Sequence, residues 1–136
     1  EMEHYAKIIN IEALTMLEMA RKQLLPAINA YMGQLAATIN AKRAVSQSLS
    51  TRSETSTLEQ LAKDADAMSD AVAHLAAAER TAQSLTDMTK KANAFHDSVL
   101  PAMDVLRAAA DNAETICGEE YWPLPSYSQM LYYVEG

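Results

Sequence analysis

The sequence predicts an all-α fold: an antiparallel three-helix bundle with a long first helix and an aromatic, Pro-containing C-terminal tail. Three observations predict it. Alanine and leucine abound while the chain holds only 3 Gly and 4 Pro, a balance that favours helix because Ala and Leu have the best intrinsic propensities. Three stretches carry apolar residues at alternating three- and four-residue spacing, the period of one helical face. Breaks in that pattern separate them, and the last break opens a segment rich in Tyr, Trp and Pro.

The first helix is predicted over about 3–44, roughly 60 Å at 1.5 Å rise per residue. Ile9, Ala13, Met16, Ala20, Leu24, Ala27, Tyr31, Leu35 and Ile39 share one face, and Leu14, Leu17, Leu25, Ile28, Met32 and Ala36 line the adjacent one. A band that wide requires at least two covering neighbours. Pro26 removes one hydrogen bond and clashes with the carbonyl of Lys22, so it predicts a kink. It does not predict an end, because the apolar rows continue beyond it in phase.

Residues 45–57, VSQSLSTRSETST, lack apolar periodicity and read as an exposed linker. Ser56 or Thr57, with Glu59 or Gln60 beyond, offers a capping box for a second helix over about 58–82. Its seam is Leu58, Leu61, Ala65, Met68, Val72, Leu75, Glu79 and Ala82. The phase then slips and restarts as Leu85, Met88, Ala92, Phe95, Val99, Met103, Leu106, Ala110 and Ala113, a third helix over about 85–117. Ser84 with Asp87 would cap it; a turn at His96-Asp97-Ser98 is the alternative. Gly118 is placed as the C-cap residue. Two helices this short leave the first overhanging, with an uncovered apolar face expected between Ile8 and Leu17.

The tail, 119–136, holds the single Trp; Pro123 and Pro125 bias Trp122 and Leu124 to extended backbone. Ser126 can cap a last short helix with Tyr127, Met130, Leu131 and Val134 on its inner side.

At 136 residues the chain is one domain, a bundle over 1–118 followed by the tail. A net charge of −7 without a basic cluster argues against nucleic acid and anionic membrane as partners. Cys117 is the only cysteine, which excludes an intrachain disulfide and fits a reducing cytoplasm. No apolar run reaches the ~18 residues of a membrane span. The chain opens at Glu1 inside a helical pattern, so a longer parent is expected.

Chemistry-bearing residues are sparse. Glu1 and His4 form one Glu-x-x-His pair, but a di-iron bundle needs a second and more carboxylates. His74 and His96 have no ligand partner at metal spacing. Cys117 sits near a helix C-terminus, where the dipole disfavours thiolate. Glu119-Glu120 and the Asp64/Asp66 pair read as solvated acids. No catalytic, cofactor or metal residue is assigned in this segment. Met16, Met32, Met68, Met88 and Met103 fall on apolar rows and read as core, whereas Met19 lies off them. The candidate interface comprises Ile8, Ile9, Leu14, Met16, Leu17 and Met19 on the first helix with Tyr121, Trp122, Pro123, Pro125 and Tyr127 in the tail; the alternative has these tail residues folding back over the bundle end to shield Leu124.

The blocks EHYAKIINIEALTMLEMARKQLLPAINAY, FHDSVLPAMDVLRAAADNAE and YWPLPSYSQMLYY together resemble the C-terminal helical region of type III glutamine synthetases, in order and spacing. The third block, with its Trp-Pro-x-Pro-x-Tyr run, is the most specific. The resemblance implies a cytoplasmic parent enzyme that joins ammonia to glutamate with ATP and Mg or Mn, assembled as large stacked rings. It further implies that this segment contains none of the glutamate, nucleotide or metal positions, is inert alone, and meets its own catalytic domain and other subunits of a homo-oligomer. A stand-alone helical adaptor module is the alternative reading.

Overall fold

The computed structural model of the chain describes residues 1–125, and every described element is helical. Helix α1 (Met2–Met19) runs through a π-helical turn (Ala20–Leu24) into α2 (Leu25–Val45), forming one rod. Helix α3 (Arg52–Ser84) is a second rod, and α4 (Met88–Ala94), a second π-helical turn (Phe95–Val99) and α5 (Leu100–Glu114) make the third. The expected three-helix organisation is therefore present.

Both π-helical turns sit just ahead of a Leu-Pro step, Leu25-Pro26 and Leu100-Pro101, and the same physics places them. Proline has no N–H and its ring collides with the carbonyl four residues back. Widening the preceding turn moves that carbonyl away. The last N–H before each Pro then reaches five residues back, Leu25 to Ala20 and Leu100 to Phe95. Each rod thus continues past its proline.

The first connection is shorter than expected. Helix α3 starts at Arg52, so the predicted linker over 45–57 contracts to the residues between Val45 and Arg52, and Ser56 and Thr57 lie inside the helix. Tertiary bonds outweigh the weak helix preference of Ser and Thr. Lys42 on α2 is ion-paired with Glu54, and Arg43 donates to the Thr51 hydroxyl at 3.3 Å. Glu54 also places negative charge in the first turn, where the helix dipole favours it.

The second connection falls at 85–87. Asp87, three residues beyond the expected cap Ser84, is the actual N-cap of α4, and its carboxylate accepts from the N–H groups of Thr89 and Lys90 at 2.9 and 3.2 Å. Helix α5 ends at Glu114 with Thr115 as cap, so Gly118 is not the C-cap residue.

The core is a continuous cluster of Ala, Leu, Ile, Met, Val and Phe, with Phe95, Ile28, Leu61, Met68, Leu75 and Val99 essentially without solvent contact. Two carboxylates share this layer: Asp64, which accepts from the Gln60 amide at 3.1 Å, and Glu79. The overhang lies at the opposite end from the one expected. Glu3, Ala6 and Lys7 line one cleft with Gln83, Met88 and Lys91, and the start of α1 is flanked by the end of α3 and by α4. A longer α3 supplies that cover. At the other end α2 packs on α3, and Tyr31 meets Tyr121 in the segment after α5.

Candidate interaction surface

Helix α1 has two apolar sides. The inner row, Ala6, Ile9, Ala13, Leu17 and Ala20, follows the 3.6-residue period and is buried in the bundle. On the outer side Ile8, Ile11 and Leu14 stand at three-residue steps and are 42%, 61% and 47% exposed. Isolated surface hydrophobics are ordinary, but three on one side of one helix form a contiguous apolar strip.

This arrangement corrects part of the predicted interface. Ile9 and Leu17 belong to the inner row and face the chain's own core, because they lie four residues either side of Ala13. Ile8 and Leu14 point outward. Met16 and Met19 are half-buried in a cleft of about 220 Å3 between the first rod and α5, where the Arg107 guanidinium lies 3.9 Å from Met16 Sδ. Of the five Met residues assigned to the core, Met68 and Met103 are buried, and Met16, Met32 and Met88 are half-buried. Ile11 escaped the sequence reading because it fell on neither predicted row. Its position three residues from both Ile8 and Leu14 was the available signal.

The second cluster closes the bundle where Tyr31 meets the segment after α5. The rings of Tyr31 and Tyr121 lie 5.2 Å apart at 43°, a tilted geometry that aromatic quadrupoles favour. Gly118 sits against Tyr31 so closely that a Cβ there would lie 2.9 Å from Cε1. The N–H groups of Tyr121 and Trp122 both bond to the Gly118 carbonyl, at 2.9 and 3.2 Å. This turn drives Trp122 inward: it is 9% exposed and part of the core. Trp122 is therefore no contact surface within this chain, a second correction, and its Nε1–H has no acceptor among the described residues. Pro123 and Pro125 are exposed, Tyr121 and Leu124 half-buried, and Tyr127 with the proposed terminal helix lies outside the described residues.

Among the described residues the other polar and titratable side chains singled out by the sequence make local contacts. The Glu1 carboxylate accepts from the His4 backbone N–H at 2.6 Å, so the Glu-x-x-His pair is a helix cap. His96 Nδ1 is bonded to Asp97 Oδ1 at 2.8 Å with both side chains largely exposed. His74, Asp97 and Ser98 rim a cleft of about 420 Å3 floored by Ala77, Ala78, Ala82 and Ala94. Among the described residues no group of three or more His, Cys, Asp or Glu could hold a metal ion. Burial pushes the Cys117 thiol above its ordinary range, which disfavours the thiolate. The hydrogen bond and charge of Lys42 hold Glu54 below the usual carboxylate range. Among the described residues no helix is long and apolar enough to cross a membrane.

A family model described as the glutamine synthetase C-terminal domain matches residues 1–43, almost the whole first rod. Over 96% of its length the chain is 34% identical to the glutamine synthetase of Butyrivibrio fibrisolvens and covers 19% of that protein. It is 27% identical over 96% of its length to the type-3 glutamine synthetase of Dictyostelium discoideum, covering 18% of it. Against the glutamine synthetase of Bacteroides fragilis (strain YCH46) it is 21% identical over 97% of the chain and 19% of the relative. The chain thus spans under a fifth of the length of these relatives.

Proposed function

From the premise that this chain belongs to the glutamine synthetase C-terminal domain family, we propose that it is the non-catalytic domain of a type III enzyme. Its work is mechanical: it braces the catalytic body or joins subunits of the homo-oligomer. The parent is read as an ATP-dependent glutamate–ammonia ligase of the cytoplasm, using Mg or Mn held by residues outside this chain.

One observation carries the reading. The rod that the family model matches is also the one whose helix α1 exposes Ile8, Ile11 and Leu14 together on the side turned away from the core. Fully burying such a side chain contributes about 1.5–3 kcal/mol and roughly half of each is still exposed, so covering all three contributes on the order of 2–4 kcal/mol, enough to bias an assembly. Around them Lys7, Glu12, Thr15 and Glu18 supply an exposed polar rim, the anatomy of a contact that forms between folded bodies. The aromatic cluster, by contrast, is spent internally: Trp122 and the Tyr31–Tyr121 pair fix where the segment after α5 leaves the bundle.

Excising residues 1–136 from the parent enzyme tests the proposal. The expected outcome is a smaller or less stable assembly with reduced glutamine synthesis. Unchanged particle mass and unchanged activity would remove the assigned role.

A further inference from the structure

The outer side of α1 carries charge in an order that selects its partner. Glu3, Lys7, Ile11, Leu14 and Glu18 are all exposed and fall within a sector about 80° wide at 100° per residue, and exposed Arg21 follows at the start of the π-helical turn. Along the axis the signs run negative, positive, apolar, apolar, negative, positive. Reversing the direction leaves the spacing nearly unchanged and inverts every sign. A helix of this kind is complementary to itself when the second copy runs the opposite way.

We propose that this face is a two-fold interface on which a second copy of the chain lays its own α1 antiparallel. The reading rests on the assembly role argued above and names the partner. The axis passes beside residues 12 and 13. Ile11 of one copy packs on Leu14 of the other, and the reciprocal contact follows by symmetry. Lys7 meets Glu18 of the second copy near the centre line, and Glu3 meets Arg21 along one edge. Glu18 already holds Lys22 of its own helix at 2.9 Å, with both side chains largely exposed. That bond pre-orients the carboxylate, so an approaching Lys7 extends an existing pair. Ile8 widens the apolar strip on the other edge. A parallel copy would set Lys7 beside Lys7 and Glu18 beside Glu18, which like charges disfavour.

One helix pair buries less than the ~1,200 Å2 of a standard interface, so the isolated chain should dimerise weakly, with a Kd on the order of 10–100 µM. Sedimentation equilibrium of the 136-residue chain reads this directly. Ile11→Asp should weaken the dimer roughly a hundredfold, because two apolar contacts are lost per pair and each is worth about tenfold. Lys7→Glu and Glu18→Lys should each weaken self-association, since each sets like charges face to face. Mixing those two variants should restore a heterodimer. At one of the two symmetry-related contacts the introduced carboxylate then faces the introduced ammonium, and at the other the native Lys7 faces the native Glu18. A chain monomeric to ~1 mM, a dimer indifferent to Ile11→Asp, or single variants that fail to pair on mixing would each overturn the proposal. If the chain stays monomeric while deletion still loosens the parent, the bracing role stands and self-pairing falls. If the chain dimerises while the parent is indifferent to the deletion, the assembly role falls instead.

Discussion

Replacing Gly118 by Ala probes the joint that fixes the end of the bundle. The added Cβ would meet three atoms of the Tyr31 ring, Cε1 at 2.9 Å, Cζ at 3.2 Å and Cδ1 at 3.3 Å. No glycine among the described residues has positive φ, so the backbone accepts Ala and the cost is steric alone. Overpacking of this kind costs about 1–3 kcal/mol. The ring has little freedom to yield, because it packs at a tilt against Tyr121 with centroids 5.2 Å apart. Tyr31→Ala removes all three opposing atoms and forfeits the aromatic pair, worth about 0.5–1.5 kcal/mol beyond burial. In that background Gly118→Ala should be neutral or should stabilise by about 0.4–1 kcal/mol, through the lower entropy of the unfolded chain. Urea unfolding of the four proteins in the cycle should therefore return a coupling of roughly 2 kcal/mol between the two sites. Equal cost of Gly118→Ala in both backgrounds would refute the argument and place the penalty in the backbone.

Two further outcomes are expected. Asp87→Ala should cost about 1 kcal/mol in urea unfolding, since one carboxylate caps two N–H groups at the start of α4; no loss would mean that the turn is held by packing alone. Glu54 titrates below its ordinary value of 4.5 in the folded chain, so its stabilising effect is fully present above that value and is lost as pH falls through the lowered one. Lys42→Met should therefore flatten the acid limb of a stability–pH profile below about 4.5, and an unchanged limb would remove Glu54 as its source.

The seams of the second and third rods were legible in the sequence because hydropathy and burial coincide there: Leu61, Met68, Val72, Leu75 and Ala82, then Ala92, Phe95, Val99, Met103, Leu106 and Ala113, are all buried. Asp64 was not, because no apolar side chain marks its place and its burial depends on the bond from Gln60. The π-helical turns left a trace that periodicity reading passes over. Ala20–Leu24–Ile28 and Phe95–Val99–Met103 are consecutive four-residue steps, and each overshoots a full α-helical turn by about 40°. A wider turn absorbs that drift and keeps these residues inside. The early start of α3 depends on the contact of Lys42 with Glu54, which spacing along the chain cannot reveal. On the first helix, the apolar residues read in the sequence as one band. Only the positions of α3, α4 and α5 separate buried Ile9 and Leu17 from outward Ile8, Ile11 and Leu14.

The most direct test of the central claim is light scattering of the full-length parent carrying Ile8→Ser, Ile11→Ser and Leu14→Ser together. These side chains face away from the core, so the isolated chain should stay folded, each substitution costing about 0.5 kcal/mol. The substituted parent should lose mass or dissociate on dilution while this domain stays folded. A parent of unaltered mass and unaltered dilution stability would contradict the claim.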